Sequence, residues 1–319
     1  MFKRAWNLIS TTYREWRDDN ASSLAAALAY YTTFSLAPLL IVVIAIAGLM
    51  GGQQAAQNQA MAQVEGLLGV QGRQFVQGMI ESASRPSTGI TATLLGTATL
   101  LFGALGAFSA LQSSLNTIWE VKPLPAKNLR DAIRRFVMGR MLSFALVLGI
   151  GFLLLASLVI SAGLAALGQF IGGFNLFSES RLQIVNFVVS LAVITVLFMM
   201  IFKFLPEVKI AWRDVWLGAL VTSLLFNIGK SLIGLYLGQS RIGTTFGAAG
   251  SLAIILIWVY YSAQILFLGA EFTQVYAQQS RRAIEPKQGM VRVPGATASG
   301  SVRRETPEGR AGIQSPPST

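Results

Sequence analysis

Long runs without a charged side chain alternate with short charged segments along this chain. No Asp, Glu, Lys or Arg occurs between Asn20 and Glu65, nor from Met141 to Ser178. About 20 apolar residues suffice for a helix to cross the hydrocarbon core of a bilayer, and the apolar runs predict six such spans. They fall near Tyr30–Met50, Ile90–Leu111, Leu142–Leu164, Leu182–Phe202, Val215–Leu237 and Phe246–Ala270. Pro38 lies inside the first, and its missing N–H predicts a kink or break there. The third run is longer than one span needs and predicts an outer interfacial piece after it. Before the first span, Trp6, Ile9, Tyr13 and Trp16 recur at helical spacing among charges. That pattern predicts an amphipathic helix over residues 2–20, lying on the inner membrane surface. Residues 51–89 are rich in Gln; Val64, Leu67, Leu68, Phe75 and Met79 share one helical face, which predicts packing on the outer surface. The expected architecture is all-α: a polytopic transmembrane bundle over residues 1–282, then a basic tail, 283–319, rich in Pro, Gly and Arg and expected to be disordered.

Composition sharpens this picture. Only 12% of the 319 residues are charged, about half the share usual in a soluble domain. The formal net charge is +11, which in a soluble protein would point to nucleic acid; here the excess sits in loops and tail, where topology and anionic lipid explain it. Four Lys or Arg precede the first span, six lie between the second and third, three between the fourth and fifth, and seven follow the sixth. Against these stand Arg73, Arg85, Arg181 and Arg241 on the other side. The bias places both termini in the cytoplasm. No cleavable signal peptide is visible, so the first span is expected to act as its own insertion signal.

The chain has no Cys and no His. Thiol chemistry is excluded, and the commonest general base and metal ligand is missing. No phosphate-binding loop, nucleophile elbow or catalytic carboxylate pair is visible. Neither an enzyme, a cofactor nor a metal is expected.

An ionisable group inside a span is the default functional candidate, and Lys230 is the clearest. At 100° per residue, Ser223, Asn227 and Lys230 share one face of the fifth span with Ala219 and Gly234. Opposed to a functional role is snorkelling of Lys230 to the outer interface. The sixth span adds Tyr260, Gln264 and Glu271, the last expected at the inner membrane edge as an interfacial carboxylate and too far from Lys230 to pair with it. Arg130, Arg134, Arg135 and Arg140 in the most basic loop are candidates for anionic head groups.

Four segments carry a family resemblance: AAALAYYTTFSLAPLL (25–40), LNTIWEVKP (115–123), LPEVKIAWRDVWLGAL (205–220) and SLAIILIWVYYSAQILFLGAEFT (251–273). Together the chain resembles the YihY/BrkB family of bacterial inner-membrane proteins, from about residue 20 to residue 275. The resemblance implies a six-span protein of the bacterial inner membrane. It implies a link to the cell envelope and carries a virulence-factor label. It also brings a ribonuclease BN label, which a chain without histidine contradicts, since zinc-dependent nucleases of that kind need a histidine-rich metal site. Tyr30 and Pro38 fall in the first of these segments and Tyr260, Gln264 and Glu271 in the last, which adds them to the substrate-pathway candidates without a catalytic role.

Two functions fit. In the first, the protein is transporter-like and moves a lipid or amphipathic substrate, with a broken first helix and polar groups inside the membrane making the path. In the second it is a non-transporting envelope scaffold or partner-binding protein. Membrane lipids, anionic on the cytoplasmic side, are the expected partners; nucleic acid is not, and self-association stays open.

Overall fold

The structure, a computed structural model, describes residues 2–84, 106–125, 128–130, 179–239, 248–279 and 285–293. Within these the chain is almost entirely helical: α1 (Phe2–Asp18), α2 (Ala21–Gly51), α3 (Gln53–Ser84), α4 (106–118), α5 (Glu179–Phe204), α6 (Trp212–Gln239) and α7 (Ala248–Gln279). Four short strands complete it: β1 (Val121–Pro123), β2 (Val208–Lys209), β3 (Glu285–Pro286) and β4 (Met290–Arg292). Three of the described helices are long and apolar enough to cross a membrane, over Phe187–Phe204, Trp212–Ile233 and Leu252–Gln279. They overlap the segments read from the sequence as the fourth, fifth and sixth spans. The expected third span and most of the second lie outside the described residues.

α1 buries one edge and exposes the other. Trp6, Ile9 and Tyr13 stand exposed, whereas Trp16 packs on the core. Asn20, at φ 50°, breaks α1 from α2; asparagine is among the few non-glycine residues that adopt this left-handed conformation readily. α2 then runs as one helix from Ala21 to Gly51. Of the kink or break expected at Pro38, a break is therefore not present. One proline removes a single ladder bond, and the thirty-one-residue helix is held on both sides of it.

The Gln-rich segment after α2 is the helix α3, broken at Gly69 (φ 73°, ψ −177°), a backbone conformation open essentially only to glycine. Glu65 and Arg73 bridge the break with a 2.5 Å ion pair. Met61, Val64, Val76 and Ile80 bury against Ala37 and Ile44 of α2 and Ile255 of α7.

A larger cluster gathers α2, α4, α5, α6 and α7. Ala21, Ala25 and Leu28 meet Leu115, Ile118, Trp119, Phe198, Phe202, Val215, Ala219, Phe267 and Ala270. α7 extends nine residues past the boundary expected at Ala270, because its last turns are covered by protein and need no lipid: Thr273, Gln274, Val275 and Ala277 are all buried.

The segment after α7 corrects a second expectation. Residues 285–293, read as the start of a disordered tail, form a clasp. β4 pairs antiparallel with β1, and β3 with β2. Glu207 supports it, its N–H donating to Asn116 Oδ1 at 2.9 Å. Arg292 donates to Glu120 at 3.0 Å, Lys209 to Glu285 at 3.1 Å. Pro and Gly, which suggested disorder by composition, here shape a tight turn: Gly289 takes φ 87° and its carbonyl accepts from Leu124 N–H. Residues 294–319 lie outside the described residues.

Lys287 donates to the carbonyls of Pro206 (2.8 Å) and Phe204 (3.3 Å). Burial holds its ammonium below the usual lysine range; Glu207 opposes this shift and Lys203 adds to it. The depressed group binds fewer protons folded than unfolded, so stability rises with pH through the window that ends at the ordinary lysine value of 10.5. The expected result is a smaller alkaline loss of thermal stability in the wild type than in Lys287→Met, measured by unfolding in detergent between neutral and alkaline pH. Equal slopes for the two proteins would refute it.

Candidate functional site

The polar groups of the spans fall on α6 and α7, and glycines set how closely these two helices cross. A Cβ at Gly218 would sit 1.8 Å from Thr273 Oγ1, and one at Gly269 would sit 1.9 Å from Thr222 Oγ1. At Gly229 it would meet the Tyr261 hydroxyl at 2.1 Å. The pairs 218/273, 222/269 and 229/261 fix an antiparallel register. Two five-residue segments of the same pattern, Gly218-Ala-Leu-Val-Thr222 and Gly269-Ala-Glu-Phe-Thr273, thus face each other reciprocally. Each threonine donates to the carbonyl of its own glycine one turn back, at 2.7 and 2.6 Å. The hydroxyls are satisfied within their helix while their methyl faces fill the partner's glycine notch, the small-residue packing that lets membrane helices approach closely. The repeated GA-x-x-T was the signal in the sequence.

The polar face of α6 changes character along its length. Ser223 is fully buried and shares a 2.7 Å hydrogen bond with Thr195 of α5, also contacting the Leu220 carbonyl at 2.9 Å. Asn227 is half-buried and donates to the Ser223 carbonyl at 2.9 Å. Lys230 and Ser231 are exposed, beside exposed Ile228 and Leu232. At ~1.5 Å per residue Lys230 lies roughly 27 Å from Trp212, close to the full ~30 Å of a hydrocarbon core. Its ammonium is therefore within easy reach of the far interface.

On α7, Tyr260 is exposed, and Gln264 is half-buried with its Oε1 enclosed and undonated. Tyr30 is exposed on α2, edge-on to Tyr31 at 5.7 Å and tilted against Phe34 at 4.9 Å. Arg130 is exposed, and Arg134, Arg135 and Arg140 lie outside the described residues.

Glu271 is not the interfacial carboxylate expected from its place in the sequence. It is 0% exposed. Neither carboxylate oxygen has a hydrogen-bond donor among the described groups. The charged group acting on it most strongly is the buried Asp19, at the α1–α2 junction, followed by Glu15 and Glu120. Nothing in the sequence pairs Asp19 with Glu271; 252 positions separate them, and only the packing of α1 on α7 unites them. The α6–α7 register sets Glu271 opposite Leu220, roughly 15 Å along the axis from Lys230, so the structure does not bring those two together. Among the described residues, no group of three or more acidic side chains could hold a metal ion.

Comparison with known proteins agrees with the membrane architecture. A family described as "Virulence factor BrkB" matches residues 12–292. A UPF0761 membrane protein of Cronobacter sakazakii is 29% identical over 258 residues, 80% of this chain and 83% of the relative. One from Aeromonas salmonicida is 26% identical over 281 residues, 86% and 90% of the two chains. One from Alcanivorax borkumensis is 25% identical over 288 residues, 88% of this chain. This chain spans only 63% of that last relative. No solved structure matches the chain.

Proposed function

Because this chain belongs to the BrkB family of integral membrane proteins, we propose that it moves a lipid or amphipathic substrate within the bacterial inner membrane. In this reading it has six spans and both termini in the cytoplasm. The topology rests on the Lys and Arg bias of its loops and on α1, whose exposed Trp6, Ile9 and Tyr13 suit the membrane surface.

The observation that carries the reading is the outer half of α6. Interior polar groups in a membrane protein usually face other helices. Here Asn227, Lys230 and Ser231 run from half-buried to exposed beside Ile228 and Leu232, on the surface that lipid would touch. A head group can exchange hydrogen bonds along such a line while its tails stay in hydrocarbon. The basic cytoplasmic loops would concentrate anionic lipid at the inner leaflet, at about 1 kcal/mol per Lys or Arg.

The scaffold reading draws on a different observation. Ser223, at the buried end of the same face, spends its hydroxyl on Thr195 and the Leu220 carbonyl, and the Gly–Thr notches serve packing alone.

Lipid scrambling in proteoliposomes separates the two. A fluorescent phospholipid becoming accessible to an external quencher with wild type, and several-fold more slowly with Lys230→Ala or Asn227→Leu at equal reconstitution, is the expected result. Wild-type vesicles indistinguishable from empty ones would favour the scaffold.

A further inference from the structure

At the opposite end of α6 from Lys230, the connection from α5 gathers basic and aromatic side chains. The apolar stretch of α5 ends at Phe204 and that of α6 begins at Trp212, so this connection stands at one boundary of the membrane. Lys203 holds its ammonium over the Trp212 ring, 5.1 Å from the centroid, and donates to the Ile210 carbonyl. We propose that Lys203, Trp212, Arg213 and Trp216 form a binding site for the head group of an anionic phospholipid whose chains run beside α6.

Two of the cations here are already committed. Lys209 pairs with Glu285 at 3.1 Å, and Lys287 donates to the carbonyls of Phe204 and Pro206. Lys203 and Arg213 are not: among the described residues neither forms an ion pair. Of the carboxylates alongside, Glu207 accepts from Asn116 Nδ2 at 3.3 Å and Asp214 is buried. Lys203 is half-buried, and the indole ring and the Ile210 carbonyl fix where its charge sits. That carbonyl takes one of the three donors a lysine ammonium carries. Arg213 is exposed, and its planar fork matches a phosphate by two parallel hydrogen bonds.

The aromatic side chains make the anion a lipid's. Trp212 and Trp216 stand 54% and 51% exposed, and Phe204, 38% exposed, meets the Trp212 ring edge-on at 6.1 Å. At 100° per residue Trp216 falls between Trp212 and Arg213, so the three share one arc of about 100°. An indole has an apolar body and one N–H donor, and it belongs where hydrocarbon meets head groups. A soluble phosphate gains nothing from such rings. A phospholipid can lay its glycerol backbone and upper chains on them while its phosphate meets Lys203 and Arg213. Asn227 lies about 20° from Trp216 on the same wheel, so the site stands at the foot of the face proposed to carry head groups. It does not rest on that reading, because a lipid can be held here without being moved.

The test reads tryptophan fluorescence of the full chain in phosphatidylcholine vesicles that contain a minor share of chain-brominated lipid. The brominated lipid is either phosphatidylglycerol or phosphatidylcholine, and bromine quenches the indoles it touches. Wild type is expected to be quenched more by the phosphatidylglycerol, with an enrichment of roughly fivefold for each cation. Arg213→Gln lowers this excess, Lys203→Gln with Arg213→Gln removes it, and Trp212→Phe with Trp216→Phe removes the signal that reports it. Lys3→Gln with Arg4→Gln, which deletes the same charge from α1, leaves the excess in place. Equal quenching by the two lipids in wild type overturns the proposal. So does an excess lost equally with the α1 pair, since net charge alone then draws the lipid. Inorganic phosphate that abolishes the excess at constant ionic strength overturns it too, because the site then takes a free anion. Should the Lys203 variant not fold for want of its bond to Ile210, Arg213→Gln alone decides. Among the described residues no hydrogen bond holds that guanidinium, and an excess unchanged in this variant removes the site. A wild type that shows the excess and scrambles no lipid keeps this site and loses the transport reading.

Discussion

Replacing Gly218 or Gly269 with alanine is expected to cost about 1–3 kcal/mol of stability, and replacing either with leucine is expected to abolish folded protein. The added Cβ has nowhere to go. Opposite Gly218 it meets Thr273 Oγ1 at 1.8 Å and Cβ at 2.8 Å, and opposite Gly269 it meets Thr222 at 1.9 and 2.9 Å. Threonine is branched at Cβ and stiff at χ1, and its hydroxyl is held by the carbonyl one turn back. The obstacle cannot swing aside, so the helices must part. The same geometry predicts a rescue. Gly218→Ala combined with Thr273→Ala removes the hydroxyl and methyl that the new Cβ would meet and should regain much of the loss. A double-mutant cycle on purified protein, read by thermal unfolding, measures this coupling. Strict additivity of the two substitutions would show that the notch is not where α6 and α7 are held.

Trp119→Ala is expected to be the most damaging truncation in the inner core, at about 3–5 kcal/mol. Trp119 is the bulkiest of the fully buried side chains among the described residues. It sits where α4 gives way to the turn at Glu120, which takes φ 53° just before β1. Its ring packs in the cluster that joins Ala21 and Ala25 of α2 to Phe202 of α5 and Phe267 of α7. A cavity there opens between four helices at once, none of which can collapse without moving the others. Trp119→Phe keeps most of the volume and should cost less than half as much, by the same unfolding measurement. If the two variants lost equal stability, an interaction of the indole ring that phenylalanine cannot supply would have to replace packing as the explanation.

The helices were legible in the sequence, and the particular residues show why. Phe187–Phe204, Trp212–Ile233 and Leu252–Gln279 announce themselves by apolar length alone, as does the amphipathic spacing of Trp6, Ile9 and Tyr13. Family membership was legible too, because LGAEF and its neighbouring segments are strings and need no geometry. The candidate site was only half legible. The polar face of α6 follows from a 100° wheel, but which end of it is buried does not: Ser223 is covered because α5 brings Thr195 to it, and Lys230 is exposed because no described helix covers that turn. Pro38 does not break α2 for a related reason, since a residue that weakens a helix in isolation is carried through by the helix on either side.

Asp19 facing Glu271, the clasp of residues 285–293 on β1 and β2, and the Gly–Thr notches belong to the tertiary structure alone. Hydropathy and helical period describe how each residue divides itself between water and lipid, which is a property of that residue and its near neighbours along the chain. The sequence therefore determined which segments are helices in an apolar solvent and where along the chain its charges gather. Whether a carboxylate at a helix end meets water or another carboxylate depends on a pair of residues far apart in the chain. That energy exists only once α1 lies on α7, so only the fold decided it.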